Sequence, residues 1–301
     1  MKIFAVSVLL CWCCVTAAVA ETNSRWLVDQ TGANIEVPKV PRRVLALAPS
    51  ITEMVYSLEA EDTLIGATLY SNYPPAASKL PKVGSYVQLD LERIVAMQPD
   101  LCLAIKDGNP RHTVDAIKEF GIPVFAIDPR NIEQIMDAFL LLGDLLGASP
   151  KAEELVADMQ RRLLQVKEKV AASASRPRVF FQISEAPIIS AGKDSYIDKL
   201  ISLAGGHNLA GDLAGYPRFS WENILTMQPE VVLISSMSGT PPPEPLNAAW
   251  QQWPEIPAVR NHQLYVVAAD LFNRPTLRLF TGLEILAEIL HPEVSGERGG
   301  K

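Results

Sequence analysis

The pattern of apolar and polar residues between positions 40 and 145 alternates between two periods. Short apolar runs rich in β-forming residues are each followed by a segment in which apolar residues recur at helical spacing. This alternation is typical of a parallel sheet covered by helices. It predicts strands at 43–48, 64–67, 101–105 and 123–127, and helices starting near 50 and 90 and covering 111–120 and 131–146.

A long helical pattern follows this first unit. It opens at Ser149-Pro150 and continues to about Ala174 without an internal glycine or proline. At about 1.5 Å per residue it would span nearly 40 Å. Its narrow apolar stripe favours a strut between two lobes. An ordinary long surface helix is the alternative.

The strand and helix alternation then restarts. Strands are predicted at 178–183, 231–235 and 264–268, with helices at 195–204 and from 220. The proline-rich residues 240–245 predict a stiff loop.

An internal repeat relates the two units. LERIVAMQPDLCL at 91–103 and WENILTMQPEVVL at 221–233 match at an offset of 130. Each copy predicts an N-cap (Asp90 or Ser220), a short helix ended by proline, and a buried strand. A duplicated unit implies a pseudo-symmetric molecule with a cleft between its halves, where ligands commonly bind.

The sequence therefore predicts an α/β protein of two similar lobes, each a mainly parallel sheet covered by helices, joined by one long helix. The predicted boundaries are 21–147 for the first lobe, 148–175 for the linking helix, 176–294 for the second lobe and 295–301 for a flexible tail.

The first twenty residues resemble a secretory signal: Lys2, an apolar run, and small residues ending at Ala20. Cleavage there predicts a periplasmic product, with a lipoprotein as the less favoured variant. The mature chain keeps Cys102 alone of four cysteines, interpreted as a small buried hydrophobe, so it has no intrachain disulfide. Its net charge of about −8, with no long basic run, argues against nucleic acid as a partner.

Motifs of catalysis are missing from the sequence. It contains no glycine-rich phosphate loop, no nucleophile elbow and no paired-cysteine metal spacing. The histidines (His112, His207, His262 and His291) lack the spacing of metal ligands and are expected in loops or on the surface. We therefore predict no catalytic residue, no catalytic cofactor and no metal site. An enzyme with a duplicated α/β fold is the competing hypothesis, and it would need a catalytic group in the cleft.

Several polar and aromatic residues are candidates for ligand binding. Residues 50–53 read as a capping box at a helix start, where Ser50 and free amides could also face a ligand. Aromatic residues recur in loops of both units and suggest a large, flat ligand held between rings. The candidates of this kind are Tyr70, Tyr73, Tyr86, Tyr216, Phe219, Trp221 and Phe272.

Glu92 and Glu222 occupy matching positions in the first turn of the two repeat helices. A carboxylate there is stabilised by the helix dipole. Two equivalent acidic residues could also bind basic side chains on a two-fold symmetric partner.

Residues 41–290 resemble the periplasmic binding proteins whose lobes are linked by a single helix, and within them the cobalamin-binding proteins of ABC importers. The similar segments are RVLxLxPSxTE at 43–53, YSNYPP at 70–75, LERIV at 91–95 with PDL at 99–101, GK at 192–193 and AGGxN at 204–208. The DQTGA segment at 29–33 is similar to the first hairpin of siderophore and heme binders of this class.

This resemblance implies a non-enzymatic, monomeric protein that captures cobalamin or a related corrinoid and delivers it to a permease dimer with its ATPases. A siderophore or heme binder is the alternative. Tyr70 would stack on the corrin, with Asp270, Leu271, Phe272, Asn273 and Arg274 contacting it from the second lobe. Glu92 and Glu222 would meet permease arginines. The sequence departs from the family at Tyr86, where a tryptophan is usual, at 271–274 (LFNR for WFER), and in lacking the second-lobe disulfide.

Overall fold

The computed structural model describes residues 23–235 and 247–294. The predicted signal segment, the proline-rich loop at 240–245 and the predicted tail lie outside these residues. The strands are β1 Ser24–Val28, β2 Asn34–Pro38, β3 Val44–Ala46, β4 Leu64–Ala67, β5 Gly84–Ser85, β6 Gln88–Leu89, β7 Leu101–Ile105, β8 Val124–Ile127, β9 Arg178–Glu185, β10 Ile188–Ser190, β11 His207–Asn208, β12 Arg218–Phe219, β13 Val231–Ile234 and β14 Leu264–Val266. The helices are α1 Pro49–Ser57, α2 Leu91–Ala96, α3 Arg111–Glu119, α4 Ile132–Leu146, α5 Ser149–Ala171, α6 Tyr196–Leu203, α7 Trp221–Met227, α8 Ala248–Gln251, α9 Pro257–Arg260, α10 Ala269–Phe272 and α11 Arg278–Leu290.

The first lobe is built on a four-stranded sheet in the order β4-β3-β7-β8, and every neighbouring pair is parallel. Its strands are short and apolar on both faces because helices cover both sides. The β1-β2 hairpin precedes it, and the Asp29 carboxylate stabilises its turn by accepting hydrogen bonds from the Thr31 and Ala33 amides at 2.9 and 3.0 Å. The strands match the predicted ones closely.

The second lobe has a mixed sheet. β9, β13, β14 and β11 pair in parallel, while β10 pairs antiparallel with both β9 and β12. The parallel part repeats the arrangement of the first lobe. The antiparallel strands are an addition that the sequence pattern did not predict, because β10 and β12 are too short to show a period.

Helix α5 links the two lobes and packs against both. It lies against α4 of the first lobe and against α6 and α11 of the second. Its buried stripe, which includes Val156, Met159 and Leu163, joins one continuous apolar core with residues of both lobes. This packing on both sides identifies α5 as the predicted strut.

Two features of the C-terminal region differ from the sequence predictions. Helix α11 was not predicted, although its apolar residues bury a face against α5. His291 lies in a loop just after α11, as expected, but its side chain is fully buried. His112, His207 and His262 are exposed as expected.

Candidate functional site

The two copies of the repeat are anchored to their sheets in the same way. In the first lobe the Asp100 carboxylate accepts hydrogen bonds from the Arg42 and Arg43 amides at 2.8 and 3.0 Å, and Arg43 donates to the Met97 carbonyl at 2.6 Å. In the second lobe the Glu230 carboxylate accepts from the Arg178 amide at 2.8 Å, and Arg178 donates to the Met227 carbonyl.

The start of each repeat helix is capped as predicted. Asp90 accepts a hydrogen bond from the Arg93 amide at 3.0 Å, and Ser220 forms a capping box with Asn223. Glu92 and Glu222 both occupy the second position of their helices and are exposed. The two carboxylates therefore occupy equivalent helix positions, and both are accessible from solvent.

The carboxyl ends of parallel strands meet at one edge of a sheet, which is where α/β proteins bind ligands. In the first lobe this edge carries the loop from Thr68 to Pro75 after β4, which includes Tyr70. Buried hydroxyls brace the loop: Thr52 donates to Ser71 at 2.9 Å, and Thr68 lies 3.1 Å from Ser71. Tyr70 remains 54% exposed, so its ring is available to a ligand.

Lys82 also braces this loop. Its ammonium donates to the Ser71 carbonyl at 2.9 Å and to the Ala77 carbonyl at 3.0 Å. Burial lowers the pKa of Lys82 because its charged form loses hydration. The backbone around Tyr70 is thus fixed by several polar contacts rather than by apolar packing.

A buried asparagine holds Tyr86 beside the same edge. The Asn109 amide donates to the Leu47 carbonyl at 2.7 Å and the Tyr86 carbonyl at 2.8 Å, and its oxygen accepts from the Ile105 amide at 2.8 Å. A Cβ at Gly108 would lie 3.1 Å from the Tyr86 ring. Asn109 therefore fixes the backbone of Tyr86, and Gly108 leaves room beside its ring.

Tyrosines from both lobes interact near this point. Burial raises the pKa of Tyr196, and the neighbouring hydroxyls of Tyr216 and Tyr86 raise it further. Desolvation also raises the pKa of Tyr216, with a contribution from the charge of Asp107. Tyr86 and Asp107 belong to the first lobe and the other two to the second, so the edges of the two sheets face each other here.

Charged side chains surround this tyrosine group on the first lobe. Asp128 accepts hydrogen bonds from Lys106 at 3.0 Å and Arg130 at 3.1 Å, and Arg130 also contacts Asp107 at 3.2 Å. These residues follow β7 and β8. They offer donors and acceptors to a polar ligand edge.

Glu53 joins the lobes at a second point. Its side chain is 2% exposed and accepts hydrogen bonds from Arg274 at 2.6 Å and from Arg278 at 2.7 and 2.9 Å. The predicted capping box was therefore wrong: α1 begins at Pro49, Ser50 makes no cap, and the Glu53 carboxylate binds arginines of the second lobe. Ser50 itself is 5% exposed in the first turn of α1.

Three predicted aromatic residues of the second lobe pack against other rings, whereas Tyr216 is 55% exposed. Phe219 packs edge-on against Phe180 at 5.3 Å between ring centroids, and Trp221 stacks on Trp253 at 5.6 Å. Phe272, predicted as an exposed loop ring, is 1% exposed and packs against Phe181, so its exposure was predicted wrongly. Segment 269–272 forms helix α10, which turns that ring into the core.

The other predicted second-lobe residues lie around the Glu53 contact. Asp270 is 40% exposed and pairs with Arg274 at 3.1 Å and Arg278 at 3.5 Å. Asn273 donates to Ser235 at 3.0 Å, at the carboxyl end of β13. Leu271 is partly buried against the core. Their contact with a ligand stays a prediction.

Other chemistry is limited within the described residues. No group of three or more His, Cys, Asp or Glu side chains could hold a metal ion there. Burial, with the charge of Asp100, raises the pKa of Cys102 to about 12, as expected for an unreactive thiol. Two surface cavities lie on the first lobe, one of about 540 Å³ beside Ser24 and Asp100 and one of about 460 Å³ beside Asp128 and Asp137. No helix in the described ranges has the length and apolar character needed to cross a membrane.

Sequence reasoning missed several residues that the structure brings to this site. Arg278 and Tyr196 begin helices, and Asn109 and Arg130 stand in loops, so no local period identifies them. Glu53 was noticed but given a local capping role. Its true partners lie more than 220 positions away along the chain.

The comparisons with known proteins agree with this geometry. A family model described as periplasmic binding protein matches residues 44–271. A vitamin B12-binding protein of Vibrio parahaemolyticus is 33% identical over 243 residues, covering 80% of this chain and 86% of the relative. The crystal structure of a periplasmic vitamin B12 binding protein of Vibrio cholerae is 29% identical, with a TM-score of 0.73 and coverage of 85% and 99%.

A heme-binding relative is also similar in fold. The structure of a periplasmic heme binding protein of Pseudomonas aeruginosa is 27% identical, with a TM-score of 0.78 and coverage of 84% of this chain and 94% of that one. The matched family model, the duplicated α/β lobes and the helix that joins them lead to one conclusion: this chain belongs to the periplasmic binding protein family.

Proposed function

We propose that this protein binds cobalamin or a related corrinoid between its two lobes and delivers it to the permease of an ABC importer. The observation that carries the proposal is the direct contact between the lobes beside the exposed Tyr70, where Arg274 of the second lobe donates hydrogen bonds to the Tyr70 carbonyl at 3.3 Å and to Glu53 at 2.6 Å. The named function of the relatives from Vibrio supports cobalamin as the cargo.

The chemistry of this edge suits a broad, partly polar ligand. Tyr70 and Tyr86 provide rings that a flat macrocycle can stack on. Lys106, Asp128 and Arg130 provide charged hydrogen-bonding groups for amide side chains at its rim. The protein binds this ligand and releases it chemically unchanged, because binding and delivery require no bond of the ligand to break.

Delivery depends on Glu92 and Glu222. These exposed carboxylates lie at equivalent helix positions on the two lobes, and each can pair with a basic side chain of a two-fold symmetric permease dimer. We place capture in the periplasm after removal of residues 1–20.

A heme or ferric siderophore is the second candidate cargo. The tyrosines that meet between the lobes favour it, because a tyrosine oxygen is a known ligand of heme iron. The similarity in fold to the heme-binding protein of Pseudomonas aeruginosa also supports it.

Ligand titration separates the candidates. The purified protein is titrated with cyanocobalamin, hemin and a ferric siderophore, and binding is followed by calorimetry and difference absorbance. We expect one cyanocobalamin bound per chain, with a saturable spectral shift and no chemical change in the recovered ligand. Absence of corrinoid binding, together with saturable binding of hemin or siderophore, would replace cobalamin with the second candidate.

A further inference from the structure

Glu53 is a deeply buried carboxylate whose partners all come from the other lobe. It lies in α1, while Arg274 follows α10 and Arg278 begins α11. Arg278 binds it with two parallel hydrogen bonds, from Nε to Oε2 at 2.9 Å and from Nη2 to Oε1 at 2.7 Å. A buried carboxylate needs such paired contacts to remain charged.

The charges of this cluster balance. Glu53 and Asp270 supply two carboxylates, and Arg274 and Arg278 supply two guanidinium groups. Burial lowers the pKa of Arg278, but the hydrogen bond and charge of Glu53 more than offset this and raise it overall. The arginines are therefore satisfied within the protein and need no anionic ligand.

The cluster also reaches the loop that carries Tyr70. Arg274 donates to the Tyr70 carbonyl at 3.3 Å and lies 3.4 Å from the Asn72 side-chain oxygen. The guanidinium of Arg278 lies over the Tyr73 ring, 3.9 Å from its centroid. Arg274 thus also holds the backbone beneath the Tyr70 ring, and its predicted contact with the ligand stays a prediction.

Helix α5 is attached to each lobe by a separate ion pair, and neither of these pairs joins one lobe directly to the other. Lys151 pairs with Glu59 of the first lobe at 3.0 Å, and Arg162 pairs with Glu284 of the second at 2.7 Å. The helix alone would leave the lobes free to tilt about it. The Glu53 contact adds a direct connection between α1 and α11 that such a tilt would have to break.

We infer that Glu53 is a positioning residue of the inter-lobe site: by binding Arg274 and Arg278 it fixes the second lobe against the first and holds the Tyr70 loop in place for the ligand. The part concerning the ligand rests on the proposed function. The part concerning the lobes does not, because it follows from contacts within the chain.

The test uses Glu53→Gln, which keeps the side-chain shape and removes its charge. Glu284→Gln is the matched control, because it removes a carboxylate that also binds an arginine bidentately but on the α5 side. Amide hydrogen exchange and small-angle X-ray scattering are measured without ligand. Cyanocobalamin affinity and association rate are measured by calorimetry and stopped-flow absorbance.

For Glu53→Gln we expect faster exchange in both 68–75 and 270–278, a larger radius of gyration, and affinity weakened by about tenfold. Glu284→Gln should leave these quantities at wild-type values. Arg278→Lys keeps the charge but loses the two parallel hydrogen bonds, so it should give an intermediate change in the same segments. If Glu53→Gln fails to fold, Arg278→Lys tests whether the contact fixes the lobes.

Wild-type exchange and scattering in a folded Glu53→Gln protein would overturn the inference, as would equal changes in the Glu284→Gln control. If the wild-type protein binds no corrinoid, the proposed function fails by that result alone. The ligand-free exchange and scattering measurements then still decide whether Glu53 fixes the lobes.

Discussion

The two lobes are most alike where their repeat helices end, at the amino ends of the strands, and least alike at the opposite, carboxyl edges of their sheets. Ile94 and Ile224 are both fully buried, and Gln98 and Gln228 both adopt positive φ, at 48° and 47°. An acidic residue, Asp100 or Glu230, then binds the backbone before the first strand of its sheet. These contacts hold the backbone between each repeat helix and the strand that follows it. Both lobes contain this connection, so both keep the contacts.

The carboxyl edges differ in which side chains they expose. The first lobe exposes Tyr70 and surrounds Tyr86 with charged groups. The second lobe packs Phe219 and Phe272 against its own rings and uses Arg274 and Arg278 to contact the first lobe. The comparison teaches that the βα scaffold is the same in both lobes, while the rings at the two edges differ: Tyr70 and Tyr216 are exposed, and Phe219 and Phe272 pack against other rings.

The largest effect is expected from reversing the charges of the equivalent residues Glu92 and Glu222. Replacing both Glu92 and Glu222 by lysine should abolish cobalamin uptake in cells that depend on this protein, because two carboxylates that would pair with a basic permease surface become repulsive. The affinity of the purified variant for cyanocobalamin should stay at the wild-type value, since both side chains are exposed on the first turns of their helices.

A matched control places the reversed charges elsewhere. Glu119→Lys and Glu288→Lys should leave uptake unchanged, because these glutamates lie in α3 and α11 rather than in the repeat helices. Normal uptake by the Glu92 and Glu222 double variant would remove the docking role. Loss of uptake in the control would point to net charge instead.

A smaller effect is expected from removing a ring from each lobe in turn. Tyr70→Ala should weaken cyanocobalamin binding by about thirtyfold, because a stacked aromatic in a binding site commonly contributes about 2 kcal/mol. Trp221→Ala should change affinity little and lower stability instead, because the ring is stacked on Trp253. Calorimetry and urea unfolding separate the two effects. Equal loss of affinity in both variants would show that the rings of both lobes contact the ligand.

The smallest effect concerns Cys102, whose counterpart in the second copy is Val232. Burial raises the pKa of the Cys102 thiol from 9.0 to about 12, so the folded state holds its proton more tightly than the unfolded state. The stability due to this proton is complete below pH 9 and is lost as the pH rises toward 12.

Cys102→Val makes the two strands alike and removes this titration. Between pH 8 and pH 10 the wild type should lose about 1 kcal/mol more unfolding free energy than the variant, since one pKa unit corresponds to about 1.4 kcal/mol. Urea unfolding at both pH values measures the difference. Parallel pH dependence in the two proteins would show that the thiol does not control alkaline stability.

Much of the fold was determined by the sequence itself. The strands β7 and β13 and the helices α2, α4, α5 and α7 lie close to their predicted positions, because each has a clear apolar period and a cap or a proline at its ends. The repeat predicted two lobes before any contact was known. Tyr70 was predicted as a ligand contact because it follows a strand and because of the family resemblance; the structure shows that it is exposed, and the contact stays a prediction.

Only the tertiary structure decided which polar and aromatic residues meet. Glu53 looked like part of a local cap, yet its carboxylate binds Arg274 and Arg278, and Phe272 looked like a loop ring, yet it is buried. The physical reason is that period and capping are properties of neighbouring residues. A salt bridge between lobes depends on how two separately folded sheets pack against one helix, and no local pattern records that packing.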